Sequence, residues 1–306
     1  MKSMKLVWIF LFLVLQGCQQ IPPRSPNKTN LKGVKEGRWT ILYDGNLNEI
    51  SNLDSIKYYR IITFENGRPS GIVKDYYKSG KIHWEWRLKS INPDIHEDGI
   101  ISEYFENGKL SQQGNLKNNE KHGWWKEYDT DGNCWKGIYL NGKKEGKWVG
   151  LYLNGGKKQE EFFINGKMDG LCIEWYKNGK ESCRGEFKDG IKEGLSKIYF
   201  ENGKIECEGK YLHDVKDGLW KEYDSTGRWY EGNYTQGRFD RNWTRRYPNG
   251  NIEVEFSVVN EKKEGRWNEY YLNGKKKVEG FYVNDKKSGT WTKWSEDGKI
   301  SEKRSY

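Results

Sequence analysis

Gly218 to Arg241 reads GLWKEYDSTGRWYEGNYTQGRFDR, and the pattern recurs along the chain. Gly194 opens GLSKIYFENGKIECEGKYLHDVKD, Gly170 opens GLCIEWYKNGKESCRGEFKDGIKE, and Gly265 opens GRWNEYYLNGKKKVEGFYVNDKKS. The opening positions are Gly71, Gly99, Gly123, Gly146, Gly170, Gly194, Gly218, Arg241, Gly265 and Gly289. After Gly99 each step is 23 or 24 residues. A fixed period of this size marks one supersecondary unit copied along the chain.

Number each repeat from its opening residue as zero. Position 2 is often Trp, positions 5 and 6 are usually aromatic, and position 9 is Gly from Gly80 to Gly298. A further Gly often falls at position 14 or 15, with an aromatic two residues on. Short aromatic runs broken by Asn-Gly read as β-hairpins, and no stretch of the repeats holds helical apolar spacing. A type I′ turn on positions 8 and 9 pairs 7 with 10 and 2 with 15, and sets the opening Gly opposite the aromatic at 17. A Trp ring over a bare glycine then explains the glycines by packing. Trp220 is expected to cover Gly232.

The repeats that open at Gly123 and Gly218 are 23 residues long and carry Asp at position 6. Keeping Trp against Gly then requires a three-residue loop, with Asp129 facing Asn133 and Asp224 facing Arg228. The Asn-Gly repeats should pair Lys177 with Lys180, and Ser295 to Gly298 should follow the short class. The fold class expected is all-β: an elongated antiparallel sheet of stacked hairpins, a solenoid of about 10–11 repeats and on the order of 100 Å long before twist.

Residues 1–18 read as a signal peptide. Lys2 and Lys5 precede the apolar run Leu6 to Leu15, which is too short to span a bilayer as a helix. Leu15-Gln16-Gly17-Cys18 resembles a bacterial lipobox and implies cleavage before Cys18 and acylation of its thiol. Gln16 departs from the small residue usual there. Residues 19–32, with Pro22, Pro23 and Pro26, read as a flexible tether. Residues 33–70 read as a degenerate first repeat and N-terminal cap, and 71–306 as the array. The repeat from Gly71 is longer than the period, and a loop is expected near Pro93.

Mean hydropathy is −1.03 and hydrophobic content 34%, values that can signal disorder, but 15% of residues are aromatic and carry the burial. Formal net charge is +9. Lys and Glu alternate along the strands and read as solvated mixed-charge faces, so no nucleic-acid partner is expected. Cys134, Cys172, Cys183 and Cys207 lack zinc spacing and read as inert thiols, with Cys172 and Cys183 at or beyond the limit of a disulfide. His83, His96, His122 and His213 share no repeat position, and Asp129 to Asn133 fails the spacing of a calcium loop. No catalytic residue, metal site or cofactor is expected.

The motif G-x-W-x-x-Y-Y-x-N-G-K with a following G-x-Y-x-x-G resembles the MORN-repeat variant found in YwqK-type proteins, often labelled antitoxins. The resemblance runs from Gly71 to Tyr306, and weakly from Gly37 to Tyr43. It implies stacked hairpins used for protein or lipid contact. Three functions follow: a membrane-anchored scaffold that binds an unknown protein partner, a binder of anionic lipid or cell-wall glycan, and a YwqK-type antitoxin or immunity-like protein. The candidate binding residues are Trp148, Trp220, Trp243, Trp267 and Trp291, against the reading that they only pack. With Cys18 acylated, the expected location is the bacterial cell envelope, on the outer membrane or cell surface.

Overall fold

The computed structural model describes residues 22–23, 25–87 and 99–306. The signal peptide, Cys18, the loop near Pro93 and His96 lie outside them. The chain divides into two compact units, one ending at Asn119 and one spanning Glu120–Tyr306.

The first unit holds β1 (Lys28–Thr29), β2 (Lys35–Tyr43), β3 (Glu49–Ile50), β4 (Tyr58–Glu65), β5 (Arg68–Tyr77), β6 (Ile82–Arg87), β7 (Gly99–Tyr104) and β8 (Leu110–Lys117). β1 pairs with β2, so the end of the expected tether lies along the fold. There Asn27 accepts from the Thr40 amide, and Ser25 meets the Thr40 hydroxyl. β2 and β4 form the first hairpin, with Gly37 opposite Phe64 and Trp39 opposite Ile62. Its loop carries β3 and the 3-10 turn Leu53–Ser55, which is why the pattern breaks after Asn46. Ile62, Phe64 and Val73 form the core here, with Trp39, Ile41 and Trp86 against them. Arg60 reaches Asp75 through two hydrogen bonds of 2.8 and 2.9 Å.

The second unit continues with β9 (Glu120–Tyr128), β10 (Cys134–Leu140), β11 (Lys143–Leu151), β12 (Lys157–Ile164), β13 (Lys167–Met168), β14 (Gly170–Trp175), β15 (Glu181–Lys188), β16 (Ile191–Tyr199), β17 (Ile205–Leu212), β18 (Val215–Tyr223), β19 (Trp229–Thr235), β20 (Arg238–Arg246), β21 (Ile252–Val259), β22 (Lys262–Tyr270), β23 (Lys276–Val283), β24 (Lys286–Trp294) and β25 (Ile300–Ser305). Each pairs antiparallel with the next in sequence, except that β12 takes both β13 and β14. The all-β hairpin array expected from the period is what forms. Register also follows: Gly170 faces Phe187, Cys172 faces Gly185, and Trp220 faces Gly232.

The turns correct two expectations. Among the described residues, all ten connections at positions 6 to 10 are one three-residue loop. Asp129 and Asp224 bond to Asn133 and Arg228 as expected, but Tyr176 bonds to Lys180 in the same way, so Lys177 does not pair with Lys180. The loop ends on a Gly at positive φ, such as Gly179 at 83°. What changes is the side chain that holds the position-10 amide: Asn178 accepts from the Lys180 amide, whereas Asp224 accepts from the Arg228 amide. The extra residue of the long repeats is a β-bulge in the second strand. Glu174 pairs with Cys183 and Trp175 with Glu181, leaving Ser182 unpaired, whereas β18–β19 runs without a shift. Ser295 keeps the common loop but its repeat is bulged, with Lys293 on Glu302 and Trp294 on Ile300, so it belongs to the long class. The two-residue turns lie between repeats instead, as at Asn141-Gly142 and Asn165-Gly166, with both residues at positive φ.

Candidate functional site

Strand alternation gives the second unit two faces. On one lie the position-2 tryptophans. Trp125, Trp148, Trp220, Trp243 and Trp291 are buried, Trp148 and Trp220 to 1% exposure. Each covered glycine belongs to the preceding repeat. A Cβ on Gly209 would come 2.2 Å from the Trp220 ring, one on Gly232 2.3 Å from Trp243, and one on Gly280 2.2 Å from Trp291. The expected cover of Gly232 by Trp220 is therefore corrected: the register sets them opposite, but the ring falls the other way.

The cause is a second irregularity. Between Glu208–Lys221 and Lys210–Asp217 the register shifts, so β18 carries two extra residues around Gly218. Gly218 takes φ 69°, and its absent Cβ would touch nothing. The opening glycine is thus needed for its backbone conformation, not as the bed of the ring at position 17. The Trp220 indole N–H donates to the Lys210 carbonyl at 2.9 Å, and Trp148 and Trp291 do the same to Ile138 and Phe281. That hydrogen bond holds each ring over its glycine.

Lysine two residues before the opening glycine closes this layer. The Lys216 ammonium sits 4.4 Å from the Trp220 ring centre, 4.8 Å from Tyr234 and 2.6 Å from Glu222. Lys121, Lys144 and Lys287 repeat the arrangement. Burial alone would lower the Lys216 pKa, but Glu222 outweighs it and holds the ammonium above its ordinary value. These lysines are packing residues rather than solvated charge. The signal was present as Lys-x-Gly-x-Trp, in Lys144 to Trp148 and Lys216 to Trp220.

The expected binding residues divide accordingly. Trp148, Trp220, Trp243 and Trp291 are buried and offer no open ring, while Trp267 is half-buried. Among the described residues Cys134, Cys172, Cys183 and Cys207 are free. Burial pushes the Cys172 thiol up to about 12 and Cys183 up to about 11. Among the described residues no group of three or more His, Cys, Asp or Glu is placed to hold a metal ion.

The opposite face carries an exposed apolar row that the sequence reading did not single out. Position 1 supplies Trp124, Leu171, Leu195 and Leu219, at 66%, 47%, 64% and 55% exposure, with Ile138 and Phe162 between them. Register places all of them on this face: Trp124 faces Ile138, Phe162 faces Lys147, and Glu160 faces Ile173 beside Leu171. Ion pairs of both signs flank the row, among them Lys147–Glu160 at 3.1 Å, Lys197–Glu208 at 2.9 Å and Arg246–Glu231 at 2.6 Å. The signal was an apolar residue directly after the opening glycine, as in Gly170-Leu171, Gly194-Leu195 and Gly218-Leu219.

The MORN repeat variant family matches residues 97–118, 192–213, 263–284 and 287–306. No curated protein matches the chain. Among solved structures, a europium-containing methanol dehydrogenase aligns over 82% of this chain and 71% of its own at 10% identity. Its TM-score is 0.17, and a likeness that low carries no argument about fold or activity. The four matched segments are built as the hairpins between them are, and in these segments the chain carries MORN repeats of the variant type.

Proposed function

We propose that this protein is a non-catalytic scaffold at the bacterial cell envelope, held to the membrane through lipid on Cys18, and that it binds a protein partner on the face opposite the tryptophans. The observation that carries this reading is the row Leu171, Leu195 and Leu219, repeated at one position in consecutive repeats and left exposed. Nothing in hairpin packing needs these side chains, since the ring, glycine and lysine layer lies on the other face. An exposed apolar row rimmed by charge has the anatomy of a protein-binding patch. The flanking charges favour a protein over a lipid surface. Glu160, Glu208 and Glu231 stand beside their cationic partners, and an anionic bilayer pressed on this face would meet carboxylates as well as ammonium groups.

The test is capture from native envelopes with wild type and with the Leu195→Glu/Leu219→Glu variant. Both positions are exposed, so the variant should keep its thermal midpoint. A protein retained by wild type and lost by the variant supports the reading. Retention by both overturns it, as does binding of anionic vesicles by wild type in place of any protein.

A further inference from the structure

The repeat that opens at Arg241 breaks the rule of ring over glycine. Phe256 occupies the position held by Gly232 and Gly280 in the flanking repeats. Trp267, which faces it in register, cannot drop onto the backbone there as the other rings do onto glycine, because the Phe256 side chain fills that space. Its ring stands 5.4 Å from Phe256 at 35°, and its indole N–H donates to Glu269 at 2.9 Å instead of to a carbonyl of the preceding strand. Beside this break, on the tryptophan face, lies an open cleft of about 350 Å³. Tyr230, Trp243 and Phe256 line it as aromatic groups, and Glu261, Lys263 and Asp285 bring charge to it.

We propose that this cleft binds an organic ammonium ion, an amine carried on a small apolar or aryl body. Phe256 supplies apolar contact and a π face; Tyr230 adds apolar contact, its own face being taken by the Arg245 guanidinium 5.6 Å from the ring centre, and the buried Trp243 backs the cleft. A cation held against an aromatic face is attracted by its quadrupole. The charges select the same ligand. Lys263 is already committed to its own repeat, with its ammonium 4.8 Å from the Trp267 ring and 5.2 Å from Tyr282. Glu222, which also borders the cleft, is held by Lys216. Glu261 and Asp285 remain to face a ligand, from the turns before β22 and β24. Asp285 is fixed by accepting the Lys263 amide at 2.8 Å. An anionic ligand would meet these two carboxylates, and a neutral one would forgo them.

The probe is benzylammonium, titrated calorimetrically into the full chain near neutral pH, with benzyl alcohol as the uncharged comparison. Saturable binding of benzylammonium, at least about tenfold tighter than benzyl alcohol, is expected from one cation–π contact and a facing carboxylate. The Glu261→Gln/Asp285→Asn variant should remove that preference and keep its thermal midpoint. Phe256→Gly should let Trp267 drop over position 256, remove one wall of the cleft and abolish binding. Equal affinity for the alcohol overturns the proposal, as does a preference that survives loss of both carboxylates. The cleft and the leucine row lie on opposite faces, so Leu195→Glu/Leu219→Glu should leave benzylammonium binding unchanged and separates the two readings.

Discussion

Trp220 stands opposite Gly232 in strand register yet lays its indole over Gly209, on its other side. The repeats that open at Gly146, Gly218, Arg241 and Gly289 therefore each close onto the one before by a ring over its glycine, and this contact is an interface between repeats. Trp220→Ala removes a ring exposed to only 1% and should cost on the order of 3 kcal/mol. Gly209→Ala should cost about 1–3 kcal/mol, because its Cβ would press into the same ring. The double variant should be clearly less destabilised than the two losses added, because the ring that the Gly209 methyl strikes is gone. Denaturant titration of the four proteins checks this, and Gly232→Ala with Trp220→Ala, where no ring is shared, should be closer to additive.

Alkaline pH should weaken the array through its phenols. Tyr270 donates to Glu255 at 2.9 Å, and burial together with that carboxylate pushes its pKa up to about 12. The folded pKa is raised above the unfolded value of about 10, so the folded state holds the proton longer. The stability so gained is complete below about pH 10 and is lost as pH rises toward 12. Tyr234, raised by burial and by Glu222, and Lys216, raised by Glu222 against its burial, act with the same sign. Denaturation midpoints should therefore hold up to about pH 10 and fall from there toward pH 12, and the fall should be smaller in Tyr270→Phe.

The period made the hairpin and its register legible, because one pairing sets Trp125, Trp220 and Trp267 each opposite a Gly. Which way the ring falls was not legible. Trp220 faces Gly232 across one strand pair and Gly209 across the other, and the choice rests on the bulge at Gly218 that turns the Lys210 carbonyl to the indole. Asn178-Gly179 misled for a similar reason. The dipeptide suits a two-residue turn, but here Asn178 caps the Lys180 amide inside a longer loop. The leucine row was visible only as a residue type after each opening glycine. Its meaning needed exposure, which no period supplies.

The anchor rests on sequence alone, on Lys2, Lys5, the run Leu6 to Leu15 and Leu15 to Cys18. Radiolabelled palmitate should enter the wild-type protein and be absent from Cys18→Ala, which should then leave the membrane fraction. Acyl chains contribute about 0.8 kcal/mol per buried CH₂, so a doubly or triply acylated cysteine should resist extraction by salt. An unlabelled, soluble wild type would end the envelope reading and leave the leucine row to be tested in another compartment.

The last prediction concerns repeat length. The extra residue of a long repeat is Ser182, which sits in a bulge between the pairs Glu174–Cys183 and Trp175–Glu181. Deleting Ser182 should convert the repeat from Gly170 into the 23-residue form that β18–β19 already shows. Cys183 would then take the place of Tyr230, on the same face, so no side chain beyond it changes sides. Deleting Asn178 shortens the loop instead. It removes the cap on the Lys180 amide and the three-residue geometry that the ten loops share. The Ser182 deletion should therefore change stability by less than about 1 kcal/mol, and the Asn178 deletion should cost several times as much, in the range of the larger single-site effects. Hydrogen exchange should find the second loss concentrated in β14, β15 and the strands paired with them, because repeats stack only on their neighbours. Equal damage from the two deletions would mean that the bulge, and not the loop, fixes the register.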